Sequence, residues 1–371
     1  MLHTPAAAPA RPRRTAVIAH LRHPIAQPFM GGMEAHCDLL VRTLMAKGHQ
    51  VTLFASGDSA PALPVAAVSP HAYEAELPWA IWRGTDRLTA WLADAYARCW
   101  AAVLAGGFDI VHNNSLFAPI HDWALRDGVP MVTSLHVPPF GPLREAVARN
   151  RAPWLRLTVP SSSQVPLWGN DDAIRVAHNG IDLSRWQPIG RGNGRALWFG
   201  RITPNKGTLA ALRAADAAGI ALDLIGPVEC ADYFAELTPH LNAPHAYLGH
   251  LSGDELTARV ASSSVVLSTP MWDEPFGLVA AEALASGVPV AALDRGAMAE
   301  VIGDCGALAA DEAALPAAIR RALRVPRARC RARAERCFSA SAMVAGYAAA
   351  YDDAIAGCRA SSISSTRALL A

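Results

Sequence analysis

Two carboxylates eight residues apart, Glu274 and Glu282, flank the turn Pro275-Phe276-Gly277 within Met271-Trp272-Asp273-Glu274-Pro275-Phe276-Gly277-Leu278-Val279-Ala280-Ala281-Glu282. An apolar run at 264–268 precedes the segment and another at 288–293 follows, so it reads as strand, loop, helix, strand. Open α/β sheets bind ligands at the carboxyl ends of their strands, where this loop falls. The amides of Phe276, Gly277 and Leu278 are expected as unpaired first-turn donors, a setting that suits an anion. Glu274, just outside the helix, is placed to meet a sugar hydroxyl, and Glu282, about two turns on, to take the two hydroxyls of a ribose. The competing reading of this segment alone is a capped surface helix with two solvated acids.

A second segment supplies the opposite charge. The short apolar strand Ala196-Leu197-Trp198-Phe199-Gly200 runs into Arg201-Ile202-Thr203-Pro204-Asn205-Lys206-Gly207, ahead of a helical stretch at 208–218. Arg201 offers a rigid fork and Lys206 a mobile point charge, and together on one loop they suit a diphosphate. Either cation alone reads as an ordinary surface residue; the pair at a strand end, in the same half as the acidic helix, shifts the balance to function.

These residues resemble the nucleotide-sugar-binding domain of family 4 glycosyltransferases, retaining enzymes of the GT-B fold. The matching pattern is Gly200-Arg201 with Lys206-Gly207, then Glu274-Pro275-Phe276-Gly277 with Glu282, then Gly287-Val288-Pro289-Val290. The likeness extends over about 15–356, through Gly31-Gly32-Met33-Glu34-Ala35-His36, Lys47-Gly48-His49-Gln50-Val51-Thr52-Leu53-Phe54 and Val176-Ala177-His178-Asn179-Gly180-Ile181-Asp182. The resemblance implies that Arg201 and Lys206 hold the donor diphosphate, Glu282 the ribose and Glu274 the transferred sugar, with Phe276, Gly277 and Leu278 contributing to the donor site. It places Gly31 and Gly32 near donor phosphate and acceptor, and puts the family's active-site histidine at His136. It further implies a retaining reaction with a phosphate oxygen as base, no cofactor and no metal. The donor is expected to be a nucleoside diphosphate sugar, with UDP-sugar placed ahead of GDP-sugar, and the acceptor a hydroxyl, with a lipid-linked acceptor left open. Polysaccharide, glycolipid or glycoconjugate synthesis is the expected setting.

The elements that must position these residues read as two α/β domains. A length of 371 residues with 52% hydrophobic content is ample for two cores. The amino-terminal half opens with a strand at 16–19, a loop holding Gly31 and Gly32, a helix at 34–47 and a strand at 51–55, a mononucleotide-type unit. Residues 60–70 read as an Ala/Pro-rich connection, and the tryptophans at 79, 82, 91 and 100 as packing residues. Further strands fall at 110–111, 131–134, 157–159 and 174–176. His20, His112 and His136 each sit at or just after a strand end and are assigned to the cleft; His36 on the first helix faces either acceptor or solvent. His20, His36 and His112 are taken to the acceptor side. His112 is followed by Asn113-Asn114-Ser115, where many relatives carry a second histidine, and Pro160-Ser161-Ser162-Ser163 departs from the family's usual turn; both departures are set on the acceptor side.

Residues 182–195 contain Pro188, Gly190, Gly192 and Gly194 and read as a linker. A second alternation follows, with strands near 196–200, 221–225, 246–248, 264–268 and 289–293, an Ala/Arg-rich helical stretch after Leu308, and a terminal helix over 340–358. The expected organisation is a Rossmann-like acceptor-side domain at 15–187, a Rossmann-like nucleotide-sugar domain at 188–338 facing it across a cleft, and a helix at 339–358 crossing back. Residues 1–14 and 361–371 read as loose ends.

Composition excludes some classes. Thirty-three Lys and Arg against 32 Asp and Glu give no field for nucleic acid. Seven scattered cysteines without a Cys-x-x-Cys pair suit a reducing compartment and no zinc site. No run reaches the length of a membrane span, so a cytoplasmic monomer or weak dimer is expected. Arg144, Arg149, Arg151 and Arg156 beside Trp154 and Leu155 leave contact with an anionic membrane face open. Two other functions stay open: a nucleotide-sugar epimerase or hydrolase of the same architecture, and a non-catalytic nucleotide-sugar sensor or scaffold.

Overall fold

The computed structural model describes residues 11–169 and 171–370. They divide into two compact units: the first takes the described residues up to Val159, with Leu167–Ala177 and those from Val344 on, and the second takes Pro160–Pro166 and His178–Met343.

The first unit is a parallel sheet of β1 (Arg14–Ile18), β2 (Gln50–Ser56), β3 (Val65–Ser69), β4 (Ile110–Asn113), β5 (Met131–Ser134), β6 (Leu155–Val159) and β7 (Ile174–Val176), in the order β3-β2-β1-β4-β5-β6-β7. Ala16 to Ile18 are fully buried, because helices cover both faces and a strand so enclosed reads as a continuous apolar run. Strand order reverses at β1, which pairs with β2 on one side and β4 on the other. The loops after β1 and β4 therefore flank a crevice of the kind in which doubly wound sheets hold ligands. The helix Gly32–Ala46 begins at the first of these loops, with Gly31 as its N-cap.

The second unit repeats the plan with β8 (Ala196–Phe199), β9 (Leu222–Ile225), β10 (Ala246–Tyr247), β11 (Val265–Ser268), β12 (Val290–Leu293) and β13 (Gly306–Ala309), ordered β10-β9-β8-β11-β12-β13 and parallel throughout. Successive side chains alternate between two cores, as the two-residue period of a strand requires. Leu197, Phe199, Val266, Val290 and Ala292 enter one; Ala196, Trp198, Val265, Leu267, Ala291 and Leu293 enter the other. Here the order reverses between β8 and β11, and their following loops carry Arg201 with Lys206 and Glu274 with Gly277.

Three expectations are corrected. The connection at 60–70 contains the edge strand β3, whose Val65-Ala66-Ala67 pairs with Leu53-Phe54-Ala55. Its alanines carry little strand preference of their own, and pairing with β2 decides the outcome. Likewise Gly306-Ala307-Leu308-Ala309 is a strand against β12, where an Ala/Arg-rich helix was read from just beyond Leu308; the helix there is Leu315–Ala322. The terminal helix runs Ala340–Leu370, through residues read as a loose end, because 361–370 contain neither glycine nor proline to stop it. Of the amino-terminal tail, residues 1–10 lie outside the described residues, and Arg14 already belongs to β1. Trp100 is buried, as a packing residue should be, whereas Trp79 is exposed beneath the guanidinium of Arg22.

Candidate active site

In the second unit the loops after β8 and β11 meet through an ion pair. Lys206 Nζ donates to Glu274 Oε2 at 2.7 Å, the indole Nε1 of Trp272 donates to the same oxygen at 3.0 Å, and the ammonium lies 5.6 Å from the Trp272 ring centre. Glycine makes this approach feasible: Gly207 has φ of +67°, and a Cβ there would stand 2.0 Å from the carbonyl oxygen of Thr269. Thr269 Oγ1 also donates to the Gly207 carbonyl at 2.8 Å, tying the loops together again. Arg201 does not join Lys206 in this arrangement. Its guanidinium is half exposed and bonds Glu229 at 2.9 Å.

The helix after Glu274 is Leu278–Ala285, with Gly277 as a left-handed N-cap at φ of +88°. A Cβ on Gly277 would meet Met298 Cε at 2.1 Å, so the turn is also held from below. No hydrogen bond is donated by the amides of Phe276, Gly277 or Leu278 among the described residues, leaving them as first-turn donors. The Phe276 side chain, by contrast, is buried edge-on against Phe338 at 5.6 Å; this residue can offer a ligand its main chain only. Glu282 keeps partial contact with solvent, and its carboxylate accepts no hydrogen bond from the described residues. Burial pushes its carboxyl up to about 8, against the opposing pull of Arg185.

Several contacts around this turn were not read from the sequence. Ser161 Oγ donates to the Pro275 carbonyl at 2.7 Å, and the Ser162 amide donates to Glu300 Oε2 at 2.7 Å. His178 Nε2 shares the other Glu300 oxygen at 2.6 Å, and burial against this carboxylate is outweighed by His178 and Ser162, which hold it below its ordinary range. Pro160–Pro166 thus belongs to the second unit and braces the turn after Glu274; its assignment to the acceptor side is corrected. The reason is a chain re-entry that local sequence does not encode.

The first unit gathers histidines at the carboxyl ends of β4 and β5. His112 is fully buried on β4, and its Nε2 lies 3.2 Å from Asn114 Oδ1 and 2.9 Å from Ser134 Oγ. His136 Nε2 reaches the same Asn114 Oδ1 at 3.2 Å, and the His136 ring lies 4.3 Å from that of His36. Two tyrosines of the terminal helix complete the group: Tyr351 Oη is 2.6 Å from His112 Nδ1, and Tyr347 Oη is 3.2 Å from His36 Nε2. Burial lowers His112 to about 3 and His136 to about 4, and moves His36 well down, so all three rings are neutral near pH 7. His20, lowered to about 4 by burial and then by Arg22, stands edge-on to Tyr73 at 6.3 Å instead. Gly31 is extended at φ of −161°, and Glu34, buried in the first helical turn, folds back so that a Cβ on Gly31 would lie 3.1 Å from its Oε2. An acid two residues after the paired glycines was the available signal for Glu34.

The basic stretch is largely satisfied by protein. Arg149 forks onto Asp122 at 2.9 and 2.6 Å, Arg151 pairs with Asp171, and Arg156 bonds the carbonyls of Ala152 and Leu155. Among the described residues no helix is long and apolar enough to cross a membrane, and no group of three or more His, Cys, Asp or Glu is placed to hold a metal ion.

Two doubly wound parallel sheets, with a lysine–glutamate pair at the switch point of the second, define a GT-B-fold protein that handles a phosphorylated ligand. Residues 30–185 match the model of Glycosyltransferase Family 4 and residues 193–324 that of Glycosyl transferases group 1. The chain is thus similar, over two successive segments, to two glycosyltransferase families, and it resembles GT-B-fold enzymes that move a sugar from a nucleoside diphosphate sugar to an acceptor. It is 28% identical over 342 residues to the D-inositol 3-phosphate glycosyltransferase of Mycolicibacterium paratuberculosis, covering 79% of this chain and 77% of that one. The enzyme of that name from Mycobacterium tuberculosis strain H37Ra is 27% identical over 342 residues, covering 79% and 71%. Among solved structures, AviGT4, a glycosyltransferase involved in avilamycin A biosynthesis, superposes with a TM-score of 0.70 at 24% identity over 93% of this chain and 99% of that one. Anabaena HepE in complex with UDP superposes with a TM-score of 0.69 at 18% identity over 91% and 98%.

Proposed function

We propose that the chain is a retaining glycosyltransferase that uses a UDP-sugar and glycosylates a hydroxyl. The observation carrying this reading is the convergence, at one switch point, of Lys206 paired to Glu274, the amides of Phe276 to Leu278, and a Glu282 carboxylate that accepts no hydrogen bond among the described residues. Lys206 and the amides take the diphosphate, Glu282 the ribose hydroxyls and Glu274 a hydroxyl of the transferred sugar, with Arg201 swinging from Glu229 to add charge. Gly31 and Gly32 admit phosphate close to the helix start in the first unit, and His136 stands at the reacting sugar with His36 and His112 behind it.

Charge grows on the diphosphate as the glycosidic bond breaks. Fixed donors aimed at that oxygen therefore lower the barrier more than they favour the ground state. Retention follows from the family resemblance, with the acceptor hydroxyl giving its proton to a departing phosphate oxygen. UDP is favoured because the Anabaena relative of the same fold is described as binding it. On the acceptor side, the loops carrying Asn114 and His136 continue into the walls of an apolar cavity of about 420 Å³, formed by Leu116, Phe117, Pro119, Phe140 and Pro142. Its one cation, Arg149, is already committed to Asp122, which favours an acceptor presenting an apolar surface over an anionic one.

The test is a thermal-shift series with UDP, GDP, ADP and their sugar conjugates, with Glu282→Ala as control, followed by NMR of the product's anomeric proton. A saturable shift for UDP-sugars that the variant lacks supports the reading. Inverted anomeric configuration, or sugar release without transfer to any acceptor, overturns it.

A further inference from the structure

We infer that Tyr351 on the terminal helix is a positioning residue that fixes, through His112 and Asn114, which nitrogen of His136 carries the proton. This rests on the reading of His136 as the histidine at the reacting sugar.

The proton order starts at Tyr351. Its buried hydroxyl has one hydrogen-bond partner among the described residues, His112 Nδ1 at 2.6 Å, and a neutral phenol placed so satisfies its O–H only by donating. His112 Nδ1 is then a lone pair, and the His112 proton sits on Nε2. Ser134 Oγ, 2.9 Å from Nε2, accepts it; Ser134 and Thr158, 3.0 Å apart, can donate in either direction and follow His112 rather than set it. Asn114 must turn its oxygen toward His112, because an NH₂ group would meet the Nε2 proton head-on.

Asn114 carries the order onward. The oxygen that faces His112 also faces His136 Nε2 at 3.2 Å, so His136 is protonated on Nε2 as well. Two rings sharing one amide oxygen are held in the same tautomer. The remaining nitrogen of His136, Nδ1, has no hydrogen-bond partner among the described residues, while His136 itself is only partly buried. It is therefore presented as an acceptor for a sugar hydroxyl. Burial keeps Tyr351 a neutral phenol and both imidazoles uncharged, so the chain transmits orientation rather than charge.

The experiment uses the full-length protein with ¹⁵N-labelled histidine, read by long-range ¹H–¹⁵N correlation, which reports each ring's tautomer without any turnover. His112 and His136 are expected in the same Nε2–H form. Tyr351→Phe removes only the hydroxyl and should make His136 a tautomer mixture. It should also lower kcat for transfer by about tenfold or more while the donor KM stays put. Asn114→Leu severs the link at its centre, and should release His136 while leaving His112 on Nε2–H. Opposite tautomers in the wild-type protein, or a Tyr351→Phe variant with unchanged His136 shifts and unchanged kcat, overturns the inference. Undiminished transfer by His136→Ala instead removes the underlying reading of His136; the spectra then still decide whether Tyr351 and Asn114 set its tautomer.

Discussion

Replacing Glu282 with glutamine should separate stability from donor binding. Burial raises this carboxyl from 4.5 to about 8, so the folded protein holds a proton that the unfolded chain gives up. The stabilising contribution of that proton is complete below pH 4.5, declines as pH rises, and is gone above about 8. The shift sets a ceiling of about 5 kcal/mol on the effect, which partial exposure of the side chain and solvent screening reduce. Glu282→Gln should therefore match the wild-type melting temperature near pH 5 and exceed it at pH 9. On the proposed assignment of Glu282 to the ribose, the same proton governs the ligand. Ribose hydroxyls donate, so they need the carboxylate, and at pH 7 about nine-tenths of a proton must leave for each donor bound. Affinity should rise close to tenfold per pH unit below 8 and level off above it. Titration calorimetry in two buffers of different ionisation enthalpy measures this release directly. Tight binding with no proton exchange, or a glutamine variant whose stability tracks wild type from pH 5 to 9, would refute the assignment.

Lys206→Ala should lower kcat/KM for transfer about a hundredfold, as loss of one fixed donor to a developing oxyanion does, measured at saturating acceptor. Gly207→Ala combines a left-handed backbone with a Cβ 2.0 Å from the Thr269 oxygen, and should cost more than about 2 kcal/mol in urea unfolding. Ser161→Ala frees the Pro275 carbonyl; a donor KM raised severalfold, with about 1 kcal/mol lost in stability, is the expected pattern, and an unchanged KM would show that the turn needs no brace. Phe140→Ala, at an exposed wall of the apolar cavity, should raise the acceptor KM and leave donor affinity unchanged in a thermal-shift titration.

The sequence carried most of what lies close together along the chain. Glu274, Gly277 and Glu282 occupy one loop and helix, and Gly207 follows Lys206 directly, so residue type and spacing were enough to place these residues after strand ends. The pairing of Lys206 with Glu274, rather than with Arg201 around a common centre, depends on strand order and on the close approach permitted at Gly207. Strands β3 and β13 were missed because alanine and glycine carry little periodic contrast, and only a neighbouring strand makes them extended. Ser161 and Glu300 are 139 residues apart in sequence, yet meet through Ser162. Asn114 stood in view as a departure from the family pattern. Its value emerged only when Tyr351, far along the chain, closed the circuit through His112.

The bond between Lys206 and Glu274 also bears on product inhibition. In the structure each is the other's counter-ion. If a diphosphate binds at Lys206 as proposed, it draws the lysine away and leaves Glu274 with the Trp272 indole alone. On the same proposal a complete donor would repair that loss, its sugar hydroxyls replacing the ammonium at Glu274. The nucleoside diphosphate left after transfer would have no hydroxyls to offer there, and the lysine would be pulled back toward its original partner. With these roles, the pair that receives the intact donor would also help to expel the spent nucleotide and discriminate against free phosphates.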